Sequence, residues 1–129
     1  MDKKYTVLLV DDDRFLLDMY SIKFTKNGHT AKVAGFSFDA LKMLRDGFVP
    51  DVIVLDIIMP GMDGLELLET IRKEKLIPNT VVIMLTNQSQ SSEIDRATKL
   101  GVAGYIVKAS TIPSEVVNEV VEIVSKQKA

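Results

Sequence analysis

Four places in this 129-residue chain carry side chains able to do chemistry together. Asp11-Asp12-Asp13 follow the apolar run Val7–Val10. Asp56 follows Val52–Leu55 and opens the segment Asp56-Ile57-Ile58-Met59-Pro60-Gly61-Met62-Asp63-Gly64. Thr86 follows Val81–Leu85, and Lys108 follows Tyr105-Ile106-Val107. Carboxylates brought together repel one another unless a proton or a cation intervenes. With no His or Cys beside them, an all-oxygen set suits Mg²⁺ or Mn²⁺. Lys108 adds a fixed positive charge and Thr86 a hydroxyl donor, a combination that suits a tetrahedral oxyanion beside the metal. A phosphoryl group meets that description. Asp56 is then the expected nucleophile, because a carboxylate forms an aspartyl-phosphate. The plainer reading of such acids is that they cap helix N-termini, favoured by the helix dipole. That reading suits Asp13, but it explains neither the grouping of Asp12 with Asp56 nor Lys108.

The elements that must position these residues are legible from periodicity. Five short runs rich in aliphatic and β-branched residues, Tyr5–Val10, Thr30–Ala34, Asp51–Leu55, Thr80–Leu85 and Ala103–Val107, alternate with five helical patterns. The first, third and fourth runs are nearly continuous in apolar residues, as expected of strands covered on both faces. Asn27-Gly28 closes the first helix, Ser37 is placed to cap the second and Gly47 to close it, and Gly101 ends the fourth. Thr111 precedes Pro113 at the opening of the fifth. That last segment is rich in Val and Ile, yet its six apolar residues fall within an arc of roughly 160° at helical spacing, so it is read as a helix. At its margins lie Val121 and Ile123; at least one is expected to stay partly exposed and offer a partner surface, unless the first and fourth helices cover both. Strict βα alternation implies one α/β domain over 1–129, a five-stranded parallel sheet doubly wound by helices with right-handed crossovers. Ligands in such sheets bind beyond the carboxyl ends of the strands, where the acids, Thr86 and Lys108 fall.

Composition narrows the function classes. The chain is 47% hydrophobic and 26% charged, with a formal charge of −2 and no cysteine. Disulfide scaffolds, thiolate zinc sites and cysteine nucleophiles are excluded. The charge gives no basic footprint for nucleic acid. No apolar run approaches a membrane span, and the opening Met1-Asp2-Lys3-Lys4-Tyr5 is not followed by a signal-peptide core. The expectation is a cytoplasmic protein without direct nucleic-acid or membrane contact.

Taken in order and spacing, Val10-Asp11-Asp12-Asp13, Leu55-Asp56 through Gly64, Thr86 and Lys108 strongly resemble the receiver domain of two-component response regulators, from Tyr5 to Ser125. The resemblance implies a flavodoxin-like (βα)5 sheet of order 2-1-3-4-5. It implies that Asp56 accepts a phosphoryl group from a histidine of a sensor kinase or phosphotransfer protein. It also implies that Asp11, Asp12, Asp56 and the backbone carbonyl of Ile58 hold Mg²⁺. Thr86 is similar to the switch hydroxyl, Lys108 to the lysine that pairs with the phosphoryl oxygens, and Tyr105 to the switch aromatic. Such a protein is a signalling module rather than an enzyme with an external substrate. It acts on a downstream partner or an output domain, as a monomer or weak dimer. Three departures stand out: Ala109 follows Lys108 where the family has proline, Asn87 follows Thr86 where a small residue is usual, and no acidic pair opens the fifth strand. Ile58 and Gln88, two residues beyond Asp56 and Thr86, are placed to govern the hydrolytic water, and neither activates it strongly. Slow loss of the phosphoryl group follows.

Rival functions fit less well. A Mg²⁺-dependent aspartyl-phosphate phosphatase has a second acid where this chain has Ile58, and it needs a cap over its substrate. A flavin module needs a Ser/Thr/Gly-rich loop after the first strand. A phosphorylation-independent interaction module leaves the complete site unexplained. His29 is read as an ordinary surface residue, Phe36 and Phe38 as core, and Arg72, Lys73 and Lys75 with Glu69 and Glu74 as a solvated helix face.

Overall fold

The computed structural model describes residues 3–86, 91–108 and 111–128. Strands and helices alternate: β1 (Thr6–Val10), α1 (Arg14–Lys26), β2 (Thr30–Ala34), α2 (Ser37–Arg45), β3 (Val52–Asp56), α3 (Gly64–Lys73), β4 (Val81–Thr86), α4 (Ser91–Lys99), β5 (Gly104–Val107) and α5 (Pro113–Gln127). The strands form one parallel sheet in the expected order, β2-β1-β3-β4-β5.

The near-continuous apolar runs serve two cores at once. Leu8, Val10, Ile53, Leu55, Val82 and Met84 point to one face, where they pack with Leu41 and Leu44 of α2, Leu65, Leu68 and Ile71 of α3 and Ala97 of α4. The alternate residues Val7, Leu9, Val52, Val54, Ile83 and Leu85 meet Leu17, Tyr20 and Phe24 of α1 and Val116, Val117, Val120 and Val124 of α5. Each fully buried aliphatic side chain contributes about 1.5–3 kcal/mol relative to exposure. Together they hold the strand ends in register. The fifth helix follows its periodicity rather than its β-branched propensity: four valines are buried, and Val121 and Ile123 are half-buried at the margins.

Several local expectations are corrected. Asp56 and Thr86 are the last residues of β3 and β4, not the residues after them. Ser37 lies inside α2; Phe36 is the N-cap and makes no side-chain cap. The Ser37 hydroxyl instead donates to the Met62 carbonyl at 2.6 Å. Likewise Ile112, not Thr111, precedes α5, and Thr111 Oγ1 donates to the Val107 carbonyl. His29 is buried, its Nδ1 accepting the Tyr5 N–H at 3.0 Å. Phe36 and Phe38 are exposed, at 56% and 61%. Arg72 leaves the solvated face: it is half-buried and its Nε donates to the Leu100 carbonyl.

The turn from β3 into α3 depends on a close approach. A Cβ on Gly64 would lie 2.0 Å from the Asp56 carbonyl oxygen, and the Gly64 N–H donates to the Ile57 carbonyl at 2.7 Å. Backbone, unlike a flexible side-chain tip, cannot step aside cheaply. Gly64→Ala is therefore expected to lower stability by about 1–3 kcal/mol, as overpacking does, measured by urea unfolding. An unchanged midpoint would mean that the turn relaxes freely.

Candidate functional site

The carboxyl edge of the sheet is built by short loops that leave little freedom. The Asp11 N–H donates to the Ala34 carbonyl, extending the β1–β2 ladder one residue beyond the strands. Asp11 Oδ1 accepts the Asp13 N–H at 2.9 Å, which turns the chain toward α1. Asp13 then caps α1, accepting the Leu16 N–H at 3.1 Å. Asp13 is thus spent on the helix, as its cap reading expects. Asp11 Oδ2 is left to the Lys108 ammonium.

The loop after Asp56 is tied on both sides. Asp63 and Glu66 form a reciprocal capping box, the Asp63 carboxylate accepting the Glu66 N–H at 2.8 Å and Glu66 accepting the Asp63 N–H at 3.1 Å. Sequence reasoning missed this device, although an Asp followed three residues later by Glu ahead of an apolar run signals it. The Ser37 bond to Met62 anchors the loop just ahead of that cap.

These constraints bring the expected residues together. Asp11, Asp12 and Asp56 each offer an oxygen, and the three oxygens lie within 4.8 Å of one another. Asp11 and Asp56 are buried, while Asp12 is exposed at the mouth. Lys108 reaches in from the end of β5, placing Nζ 2.6 Å from Asp11 Oδ2 and 3.3 Å from Asp56 Oδ2. Its side chain is only 7% exposed. Thr86 is buried at the neighbouring strand end, in register with Val107. The Ile58 side chain stands on the rim, 67% exposed. Tyr105 does not join the acids: its hydroxyl donates to the Glu93 carbonyl of α4 at 2.8 Å. Asn87, Gln88 and the Lys108–Ala109 peptide lie outside the described residues.

The electrostatics follow from that crowding. Burial first, and then the Asp11 charge, push the Asp56 carboxyl up to about 7, against the opposing pull of Lys108. Burial alone would lower Lys108, but the bond to Asp11 and the charges of Asp11 and Asp56 outweigh it and hold the ammonium above its usual range. The negative field extends into the core of α1. Tyr20 is pushed up to about 12, by burial first and then by Asp11, Asp13 and Asp56. Three clustered hard oxygens, with one ammonium to offset them, are a donor set that fits a small divalent cation.

The family model for the response regulator receiver domain matches residues 7–120. This chain belongs to that family. Accepting a phosphoryl group is the general function of receiver domains. The receiver domain of the Francisella response regulator 1452 is 32% identical, with a TM-score of 0.83 over 98% of this chain and all of that one. A CheY-like receiver domain protein from Methanospirillum hungatei is 25% identical, with a TM-score of 0.86 over 98% of both chains. Among curated proteins, the transcriptional regulatory protein AfsQ1 of Streptomyces coelicolor is 33% identical over 80% of this chain and 44% of its own length. The Regulator of RpoS of Escherichia coli is 34% identical over 79% of this chain and 29% of its own. This receiver domain therefore spans less than half of the curated relatives it matches. No helix among the described residues is long and apolar enough to cross a membrane.

The raised Asp56 carboxyl has a consequence for the metal-free protein. An acid with a higher pKa in the folded than in the unfolded state favours folding at low pH, and that contribution is lost as pH rises through the folded value. In EDTA, wild type should lose stability relative to Asp56→Asn between about pH 4 and about pH 7, then run parallel to it. Melting temperatures of the two proteins across that range check this. A wild type that gains on Asp56→Asn as pH rises would contradict the assignment.

Proposed function

We propose that this receiver domain takes a phosphoryl group onto Asp56 from a phosphohistidine of a sensor kinase or phosphotransfer protein. The observation that supports it is the Asp56 carboxylate at the end of β3, within reach of Asp11, Asp12 and the Lys108 ammonium. An Asp56 oxygen attacks phosphorus and the P–N bond breaks. Its electron pair stays on the imidazole nitrogen, which takes up a proton. Asp11, Asp12, Asp56 and the Ile58 backbone carbonyl would hold Mg²⁺, with Mn²⁺ as a substitute. Bound there, the cation would offset the negative charge of acids and phosphoryl oxygens. Lys108 shifts from its bridging position to pair with a phosphoryl oxygen, and Thr86 donates its hydroxyl to another.

The added charge of about −1.5 to −2 is read out toward α4, β5 and α5. Movement of Thr86 changes the space beside Tyr105. The Tyr105–Glu93 bond couples that ring directly to the α4 backbone. The reshaped face engages a downstream protein or an output domain. The protein acts in the cytoplasm, as a monomer or weak dimer and without direct nucleic-acid contact. It is a signalling module that modifies itself rather than turning over a substrate.

With acetyl phosphate and Mg²⁺, intact-mass spectrometry should show a single phosphoryl adduct, absent from Asp56→Asn and prevented by EDTA. An adduct that persists in Asp56→Asn would overturn the assignment. Ile58, two residues beyond Asp56, is exposed and its side chain cannot bind a water, and Gln88 is neutral. Ile58→Asn should therefore speed loss of the phosphoryl group several-fold, followed by the decay of the adduct. An equal or slower decay would remove Ile58 as a shield.

A further inference from the structure

At the opposite end of the sheet, about 20 Å from the acids by strand rise, lies a cavity of about 630 Å³. It is bounded by the segment ahead of β1, the turn between α1 and β2, and α5. Its size falls in the range of small-molecule sites, and the phosphoryl chemistry makes no use of it.

One wall is His29, only 8% exposed, with its ring stacked on Tyr5 and edge-on to Phe24. Its Nδ1 accepts the Tyr5 N–H, which fixes the ring proton on Nε2. Burial, and then the charge of Lys4, lower its pKa and keep this neutral tautomer. Among the described residues Nε2–H has no protein acceptor, and His29 lines the cavity.

The rest of the lining is biased the same way. Lys3 and Lys4 bring two ammonium groups; Lys4 holds the Asn27 carbonyl at 3.1 Å, and Lys3 makes no ion pair among the described residues. Among the described residues Glu122 is the one acid of the lining, and Lys126 pairs with it at 3.1 Å. Val117 and Val121 supply apolar surface between these groups. Two ammonium groups thus face one carboxylate around a partly apolar floor. We propose that this cavity binds a small organic carboxylate, its oxygens on His29 Nε2–H and the Lys3 ammonium and its apolar body against Val117 and Val121.

Benzoate is a suitable probe, with neutral benzamide as its control, in amide NMR titrations of the whole chain. Benzoate should give saturable shifts at Tyr5, His29, Asn118 and Val121, without matching shifts at Asp11 or Asp56. Benzamide should bind more weakly by roughly fivefold or more, and Lys3→Gln/Lys4→Gln should lose a similar factor. His29→Asn offers an oxygen for the Tyr5 N–H but no Nε2–H, so it should keep the native spectrum and weaken benzoate. Absence of saturable shifts at the cavity, equal response to benzamide, or undiminished binding in the folded double variant would each overturn the proposal.

Discussion

One ammonium set against three carboxylates governs this molecule. Lys108 bridges Asp11 and Asp56 at 2.6 and 3.3 Å, with all three side chains nearly closed off from water. Burying charges costs several kcal/mol per ion, recovered only where the geometry of the pair is good. A single positive charge leaves the cluster with an excess of negative charge. Burial first, and then that excess, push the Asp56 carboxyl up to about 7, above the usual acid range. The same excess makes the acid cluster compatible with a divalent cation.

Everything else in the fold serves to keep those charges close. Asp11, Asp56 and Lys108 sit on or just beyond the ends of β1, β3 and β5, so sheet register sets their separation. Two apolar layers clamp that register from both faces. The loops are then fixed by small polar devices: the Asp13 cap, the Asp63–Glu66 box, the Ser37–Met62 bond and the glycine at position 64. Farther out, Arg96 pairs with Glu69 between α3 and α4, and Arg45 with Glu74 between α2 and α3. These exposed pairs add little stability each, and the strand ends do not depend on them.

How much of this the sequence reveals follows from the range of each interaction. Strands buried on both faces announce themselves as apolar runs, and α5 announces itself by period despite its valines. The acids, Thr86 and Lys108 are legible because parallel topology places strand ends on one edge. His29 is misread because its burial depends on Tyr5, 24 residues away, a pairing no local pattern carries. Phe36 and Phe38 look like core by type, yet the turn into α2 leaves both in solvent. Ser37 has a capping side chain, but the Met62 carbonyl across the loop claims it. The close approach at Gly64 is invisible until the chain has folded back on Asp56.

The proposal that Asp56 carries the phosphoryl group rests on its place at the end of β3, while Asp11 is held closer by Lys108 and by the Asp13 N–H and Asp13 is taken by the α1 cap. Borohydride reduces an acyl phosphate to the alcohol, converting a phosphorylated Asp to homoserine. Peptide mass mapping of the acetyl phosphate-treated protein after reduction then reads the modified position directly. Homoserine is expected at position 56, with unmodified aspartates at 11, 12 and 13. Homoserine at any of those three, with position 56 intact, would contradict the proposal.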